Sequence, residues 1–532
     1  MIARLLQSAA LIALSGGAAQ ADYTLNILHL NDFHSRIEPI NKYDSTCSAE
    51  ETAENACFGG VARVKAKIDE LRKQITDAGG NVIVLDAGDQ SQGSLMYTTY
   101  KGVAEAEFMA EIGFDAMAVG NHEFDNGPDG LATFLDKVKF PILSGNIDVS
   151  QNPVLKDRVK KTAVLEVGGE KIGIVSALAT DTPETSSPGD TVIFSDDIDG
   201  LKAGVAELEA AGVNKIIALT HVGYKRDLEI AAQVPGVDIV VGGHSHTYLS
   251  ANDPDRHGPY PTWVDQPGGV MVPVVQAYAY SKYLGHAELT FDDAGNLIYA
   301  GGNTLVLDSS VTPDAGLEAK VKELAGPIEE VRAKVVSEST ADIDGSRDTC
   351  RAGECQMGNL VTEAMLDRVK DQGVTVAITN GGGLRASIDT GPVTMGEVLT
   401  VLPFQNTLAT FTTTGAMLVA ALENGASQIE EGAGRFSQVA GLKYTFDPAA
   451  PAGSRISDVM VAEGDSYVPI DPAKEYLAVT NNYMRGGGDG YRMFRDAADA
   501  YDFGPDLADV VADYLVKSGP YTPFTDGRIT RK

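Results

Sequence analysis

Short apolar runs alternate with stretches of helical spacing through the first half of the chain, and this alternation restricts the fold more than any other feature. The runs are "TLNILHL", "NVIVLDAG", "DAMAVG", "PILSGN", "KIGIVSAL", "KIIALTHV", "DIVVGG" and "VPVVQAY". Each is short enough for a buried strand. Between the first two lies "GGVARVKAKIDELRKQI", with apolar residues at 61, 64, 68, 71 and 75, the spacing of one helix face. Strand–helix alternation of this kind predicts an α/β domain with buried strands. Residues 313–337, "PDAGLEAKVKELAGPIEEVRAKVVS", read as a charged helical connector interrupted at Pro327. After it come "CQMGNLVTEAMLDRV", "VTVAITNGGGLR" and "YLAVTNNYMRGGGDGY", which predict a second α/β domain. The expected division is 1–21, 22–312, 313–339 and 340–532. A length of 532 residues is too great for one core, in keeping with that division.

The first 21 residues, "MIARLLQSAALIALSGGAAQA", have a charged start, a short apolar centre and a small-x-small end, the pattern of a secretory signal. No stretch is long enough to span a bilayer, and the polar terminus "DGRITRK" carries no lipid-anchor signal. The chain is expected to be exported, to the periplasm of a two-membrane cell, without a membrane anchor. The cysteines form two close pairs, Cys47 with Cys57 and Cys350 with Cys355. In an exported chain an even count favours two short-loop disulfides, and the zinc alternative lacks CxxC spacing. With 42 basic against 74 acidic residues, the net charge is −32. No basic block exists for a nucleic-acid polymer, and the acidity reads as solvated surface.

Polar clusters close the apolar runs of the first half. They are Asn31-Asp32-Phe33-His34, Asp86-Ala87-Gly88-Asp89, Asn121-His122-Glu123-Phe124-Asp125, Thr220-His221 and His244-Ser245-His246. Five of the chain's 8 histidines fall in these clusters, leaving His29, His257 and His286 as core or surface residues. Residues two apart on an extended segment share a side, so Asp32 with His34, and His244 with His246, can each grip one ion. Mixed carboxylate and imidazole donors suit Zn, Mn, Fe or Co better than Ca or Mg. The donor count exceeds one ion's needs, and Asp89 is the natural bridge between two. Two ions ~3.5–4 Å apart can clamp an in-line phosphoryl displacement and generate hydroxide at neutral pH. A lone DxH or HxH would more often be structural.

The full ordered series resembles the calcineurin-like metallophosphoesterase family. The resemblance implies a two-sheet αββα sandwich, with one ion on Asp32, His34, Asp89 and His246 and the other on Asp89, Asn121, His221 and His244. It also implies that His122, held by Asp125, stabilises the transition state, with Glu123 and Phe124 structural. The second half is similar to the 5′-nucleotidase C-terminal domain, and the chain as a whole to the ecto-5′-nucleotidase branch of that family. The similarity rests on "CRAGECQMGNL", "TNGGGLR", "LPFQN" and "NNYMRGGGDGY". It implies substrate-binding roles for Arg351, Asn380, Arg385, Phe404, Tyr483 and Asp489, and disulfides at both cysteine pairs. Arg forks match phosphate oxygens, Gly381 to Gly383 admit close backbone approach, and two aromatics can sandwich a base. Without the resemblance, "NGGGLR" reads as a turn and both aromatics as core. Tyr483 stands where the relative has phenylalanine.

These features together predict a two-metal 5′-nucleotidase, acting on AMP or a similar nucleoside monophosphate by attack of metal-bound water, with Zn or Mn bound. The substrate would bridge the domains, and rotation about the connector would bring phosphate to metal. The alternatives are a 2′,3′-cyclic phosphodiesterase, a UDP-sugar hydrolase, a sulfur-oxidation thiohydrolase and a noncatalytic binding module. Oligomeric state is left open.

Overall fold

Why the apolar runs become strands is visible in where their side chains go. In the computed structural model, which describes residues 22–532 apart from positions 43, 45, 465, 496 and 503, Tyr23–Leu30 is an interior strand of a seven-stranded sheet. Its Leu25 and Ile27 point into one buried layer, and Leu28 and Leu30 into another. The Ile216–His221 strand does the same in a six-stranded sheet, with Ile217 and Leu219 inward and Ile216 and Ala218 outward. Alternation with both faces apolar requires a strand covered on both sides. The two sheets share the layer containing Leu25, Ile83, Leu143, Ile174, Leu219 and Val241. Helices such as Val61–Asp77 cover the first sheet and Asp197–Ala210 and Tyr224–Gln233 the second. The result is the four-layer αββα sandwich expected from the sequence. The predicted leader lies outside the described residues.

The helix Ala315–Arg332 starts at Asp314, whose side chain accepts from the Leu317 amide at 2.9 Å. The sequence predicts an interruption at Pro327, yet the helix runs through it. Pro327 lacks the amide that would bond back one turn, normally a cost of about 3 kcal/mol. Leu317, Val321, Ala325 and Ile328 are buried against the first sheet's helical layer, and that burial offsets the loss. Arg332 then pairs with Glu38.

Beyond the helix, a five-stranded sheet runs in the order Ser437–Ala440, Val376–Asn380, Glu475–Asn481, Leu408–Thr414, Ala498–Tyr501. Helices Gln356–Val369 and Leu507–Ser518 pack on one side of it and Gly415–Ala426 on the other. A four-stranded sheet and a two-stranded one, Val335–Ser339 with Gly391–Thr394, complete this half. Cys47 is bonded to Cys57 and Cys350 to Cys355.

Candidate active site

All the polar clusters lie at the carboxyl ends of parallel strands, where open α/β sheets bind ligands. The backbone there is unusual. Asp32, His34, Asp89, His244 and His246 have φ of 52°, 49°, 59°, 73° and 53°, in the left-handed region. Asp and His tolerate that region better than most residues, and each instance still costs of order 1–3 kcal/mol. The surroundings over-determine the conformation. The Asp32 and His34 amides donate to the Gly88 and Asp89 carbonyls at 2.9 Å each, so the loops after the first two strands interlock. Glu123 accepts from the amides of Asp89, Ser91 and Gly120 at 3.0, 3.0 and 2.7 Å, a structural role as predicted. Gly120 has no room for a side chain, since a Cβ would lie 2.3 Å from the Asp89 amide nitrogen.

The donor atoms form two groups that meet at Asp89, and His244 and His246 fall in different groups, against the shared grip expected of an extended segment, because their backbone is left-handed. In the first, Asp32 Oδ1 is 3.3 Å from His246 Nε2 and 3.9 Å from His34 Nε2. In the second, His221 Nε2 is 3.1 Å from Asp89 Oδ2, and His244 Nδ1 is 3.0 Å from Asn121 Oδ1 and 3.3 Å from His221 Nε2. His34 Nε2 lies 3.7 Å from Asp89 Oδ2, joining the groups. Asp32 Oδ1 is buried with no hydrogen-bond partner. A carboxylate oxygen left this way among imidazoles fits a cation-binding site.

The electrostatics agree. Burial pushes His34, His244 and His246 well below the usual imidazole range, which keeps them neutral and able to ligate. Burial likewise lifts Asp32 to about 6. Asp89 goes the other way: burial alone would raise it, but His221 and His122 hold it well below the carboxylate range. His221 is raised to about 10 despite burial, because Asp89 shares its proton. A divalent ion bound by both would displace that proton.

His122 stands beside these groups. Its Nδ1 is 2.7 Å from Asp125 Oδ2, so Nε2 is the free nitrogen, and its amide donates to Asp89 Oδ1 at 2.9 Å. Burial disfavours its charged form, but Asp125 and Asp89 more than offset this and its pKa is raised. Asp125 also accepts from Gln92 Nε2 at 3.2 Å and from Ser186 Oγ at 2.6 Å.

The opposite wall comes from the second half of the chain. Arg351, Asn380, Arg385, Phe404, Tyr483 and Asp489 line the same cleft of about 1130 Å³ as His34, Asp89 and His122. Arg385 Nη2 lies 3.1 Å from His34 Nε2, and the Phe404 ring is 5.8 Å from that of His122. Asp489 accepts from Asn380 Nδ2 at 2.7 Å and from the Tyr483 hydroxyl at 3.0 Å. The Tyr483 ring lies against Gly488, where a Cβ would meet the ring at 2.4 Å.

Sequence reasoning missed several participants. Arg347, one helical turn before Arg351, lines the cleft within electrostatic reach of Asp32 and Arg385. Its spacing of four from Arg351 was the available signal. Tyr280 packs edge-on to His246 at 5.1 Å, and Gln92 and Ser186 hold Asp125. Of the histidines set aside, His29 is in the core, bonded to the Tyr260 hydroxyl at 2.8 Å, His286 bonds Asn26, and His257 sits at the cleft's rim.

The chain's two halves match two known families. The calcineurin-like phosphoesterase family matches residues 25–248, and the 5′-nucleotidase C-terminal domain matches residues 333–496. The 5′-nucleotidase of Mus musculus is 39% identical over 96% of this chain and 91% of its own length. The crystal structure of a 5′-nucleotidase precursor from Thermus thermophilus superposes with a TM-score of 0.90 at 40% identity, covering 96% of this chain and 99% of that one. The sulfate thiohydrolase SoxB of Thermus thermophilus shares the fold, with a TM-score of 0.79 at 20% identity over 95% of this chain and 96% of that one.

Proposed function

The chain belongs to the 5′-nucleotidase family, and we propose that it is an exported enzyme removing the 5′-phosphate of nucleoside monophosphates, AMP first among them. It is a metal-dependent phosphoric monoester hydrolase. The observation that carries the finer reading is the meeting, in one cleft, of a donor cluster centred on Asp89 with a wall bearing Asn380, Arg385, Phe404, Tyr483 and Asp489. Residues 22–312 would carry the metals, 313–339 the connecting helix, and 340–532 the nucleotide.

Asp32, His34, Asp89 and His246 would hold one divalent ion, and Asp89, Asn121, His221 and His244 a second, with Zn or Mn suiting the donors. Bound ions would supply the Lewis acidity that activates water and neutralises charge on the transferring phosphoryl group. The protein's own groups do the rest. His122, charged and held through Nδ1 by Asp125, directs Nε2 toward the phosphoryl oxygens, where negative charge grows in the transition state. Arg351 and Arg385 bind phosphate oxygens from the opposite wall. Phe404 and Tyr483 hold the base, and Asp489 accepts from the ribose. Closure of the two walls excludes water. Export is supported by the leader-like N-terminus and the two disulfides. Among the described residues, no helix is long and apolar enough to cross a membrane.

A UDP-sugar hydrolase is favoured by one observation: Arg347 lines the cleft within electrostatic reach of Arg351 and Arg385, and a guanidinium beyond those two suits a second phosphate. The test is chromatographic analysis of the products formed from AMP, UDP-glucose, 2′,3′-cyclic AMP and ATP, by protein stripped of metal and reloaded with Mn or Zn. Conversion of AMP to adenosine and phosphate far above the other reactions supports the reading, and faster cleavage of UDP-glucose to UMP and glucose 1-phosphate selects the alternative.

A further inference from the structure

The loop between the strands Glu170–Leu178 and Ile193–Phe194 joins both walls of the cleft. Its foot is tied to the donor cluster, because the Ala179 amide donates to the His221 carbonyl at 2.9 Å. Thr182 is fully buried, and its hydroxyl donates to the Ala179 carbonyl at 2.7 Å. The helical turn Thr182–Thr185 packs against Gly488–Gly490, the turn that carries Asp489 and backs the Tyr483 ring. The Ser186 amide bonds back to the Thr182 carbonyl at 2.9 Å, which points the Ser186 hydroxyl at Asp125 Oδ1, 2.6 Å away.

We propose that Ser186 is a positioning residue for the His122–Asp125 pair, and that its loop ties that pair to the nucleotide wall. The proposal rests on the phosphohydrolase reading above. Asp125 uses Oδ2 for His122 Nδ1 at 2.7 Å and for Gln92 Nε2 at 3.2 Å. A carboxylate bound through one oxygen only can still rotate about its Cβ–Cγ bond. The Ser186 hydroxyl holds the other oxygen and fixes the carboxylate plane. That in turn fixes the imidazole and the direction of its free Nε2. The Ser186 hydroxyl is committed to Asp125 Oδ1, so its loss should act on turnover and not on binding. The plainer reading, that the loop is only a wall of the cleft, predicts the opposite: a change in KM with kcat preserved.

The experiment is steady-state kinetics of the full protein, loaded with Mn, on AMP and on p-nitrophenyl phosphate, which lacks base and ribose. Ser186→Ala should lower kcat about tenfold on both substrates, the usual scale for a hydrogen bond to a charged group, with KM unchanged within about twofold. Ser186→Thr, which keeps the hydroxyl, should recover most of the loss. In an Asp125→Asn background, Ser186→Ala should cost little more, since both changes act through the same carboxylate. Unchanged kcat in Ser186→Ala, a rise in KM alone, or full additivity with Asp125→Asn would overturn the assignment. Should Ser186→Ala melt early, Ser186→Cys, whose thiol is only a weak donor, serves in its place, and its kcat should fall well below that of Ser186→Thr. Wild-type protein that cleaves p-nitrophenyl phosphate but not AMP would defeat the nucleotide reading alone and leave Ser186 to be judged on the smaller ester.

Discussion

On the sandwich side of the cleft, Asp32 Oδ1 and His34 Nδ1 are buried without hydrogen-bond partners, whereas on the facing side Asn380, Asn481, Tyr483 and Asp489 bond to one another. The sandwich side also concentrates left-handed backbone at Asp32, His34, Asp89, His244 and His246. Its histidines are pushed far from ordinary values in both directions: His34, His244 and His246 down by burial, His221 up by its shared proton with Asp89. Such an arrangement is stable only if something of opposite charge completes it. The facing side is incomplete only toward an anion, where Arg351 Nε is buried without a partner, and its Asp489 pocket needs no completion. Its carboxylate is oriented by Asn380 and Tyr483 before any ligand arrives, which lowers the entropy lost on binding. One wall is built to be filled by cations, the other to be pre-shaped for an organic ligand.

The largest expected effect lies at the point shared by both donor groups. Asp89→Asn should lower phosphate release by about 1000-fold or more, because it weakens both ion sites and forfeits several kcal/mol of charge stabilisation. Metal analysis of the variant checks this directly: unchanged ion content with unchanged rate would break the contrast between the walls. Next comes His122→Ala, expected to cost ~10²–10⁴-fold in kcat with little change in KM. The pH profile sharpens it. The pKa of His122 is raised above 6.5, so the protonated form persists to higher pH and the rate limb assigned to it falls as pH rises through the raised value. Asp125→Asn should move that limb to lower pH. In metal-free protein, the stability contributed by the His122 charge is present below 6.5 and lost as pH rises through the raised value.

On the facing wall the signature should invert. Asp489→Ala should raise KM for AMP about 10–100-fold and leave kcat nearly intact, read from steady-state kinetics. A fall in kcat equal to that of His122→Ala would erase the distinction between the walls. Tyr483→Phe removes only the hydroxyl that orients Asp489, and a rise in KM of about 2–10-fold is expected, the worth of one hydrogen bond. The smallest effect belongs to the rim, where Lys225 pairs with Glu431 across the cleft at 3.0 Å. Both are well exposed, so Lys225→Ala should change kcat/KM less than about fivefold, and high salt should abolish the difference.

The walls also differ in how far the sequence discloses them. The sandwich side was legible because its chemistry demands rare residue types at strand ends, in a fixed order. The structure brings Asp32, His34, Asp89, Asn121, His221, His244 and His246 close together. The facing side was legible only through resemblance. Phe404 and Tyr483 are ordinary apolar-run residues until the fold brings them to the cleft. Ser186 was invisible for another reason: serine is common in loops, and its partner Asp125 is 61 residues away. Pro327 misled because local propensity argues for a break, while the burial that overrides it is tertiary.

The most direct test of the account is the ion content and AMP turnover of the same preparation, first stripped by chelation and then titrated with Mn or Zn. The account predicts that activity is absent in stripped protein and returns in proportion to ions bound, reaching its plateau at two ions per chain. Full AMP hydrolysis by stripped protein, or no hydrolysis with two ions bound, would contradict it.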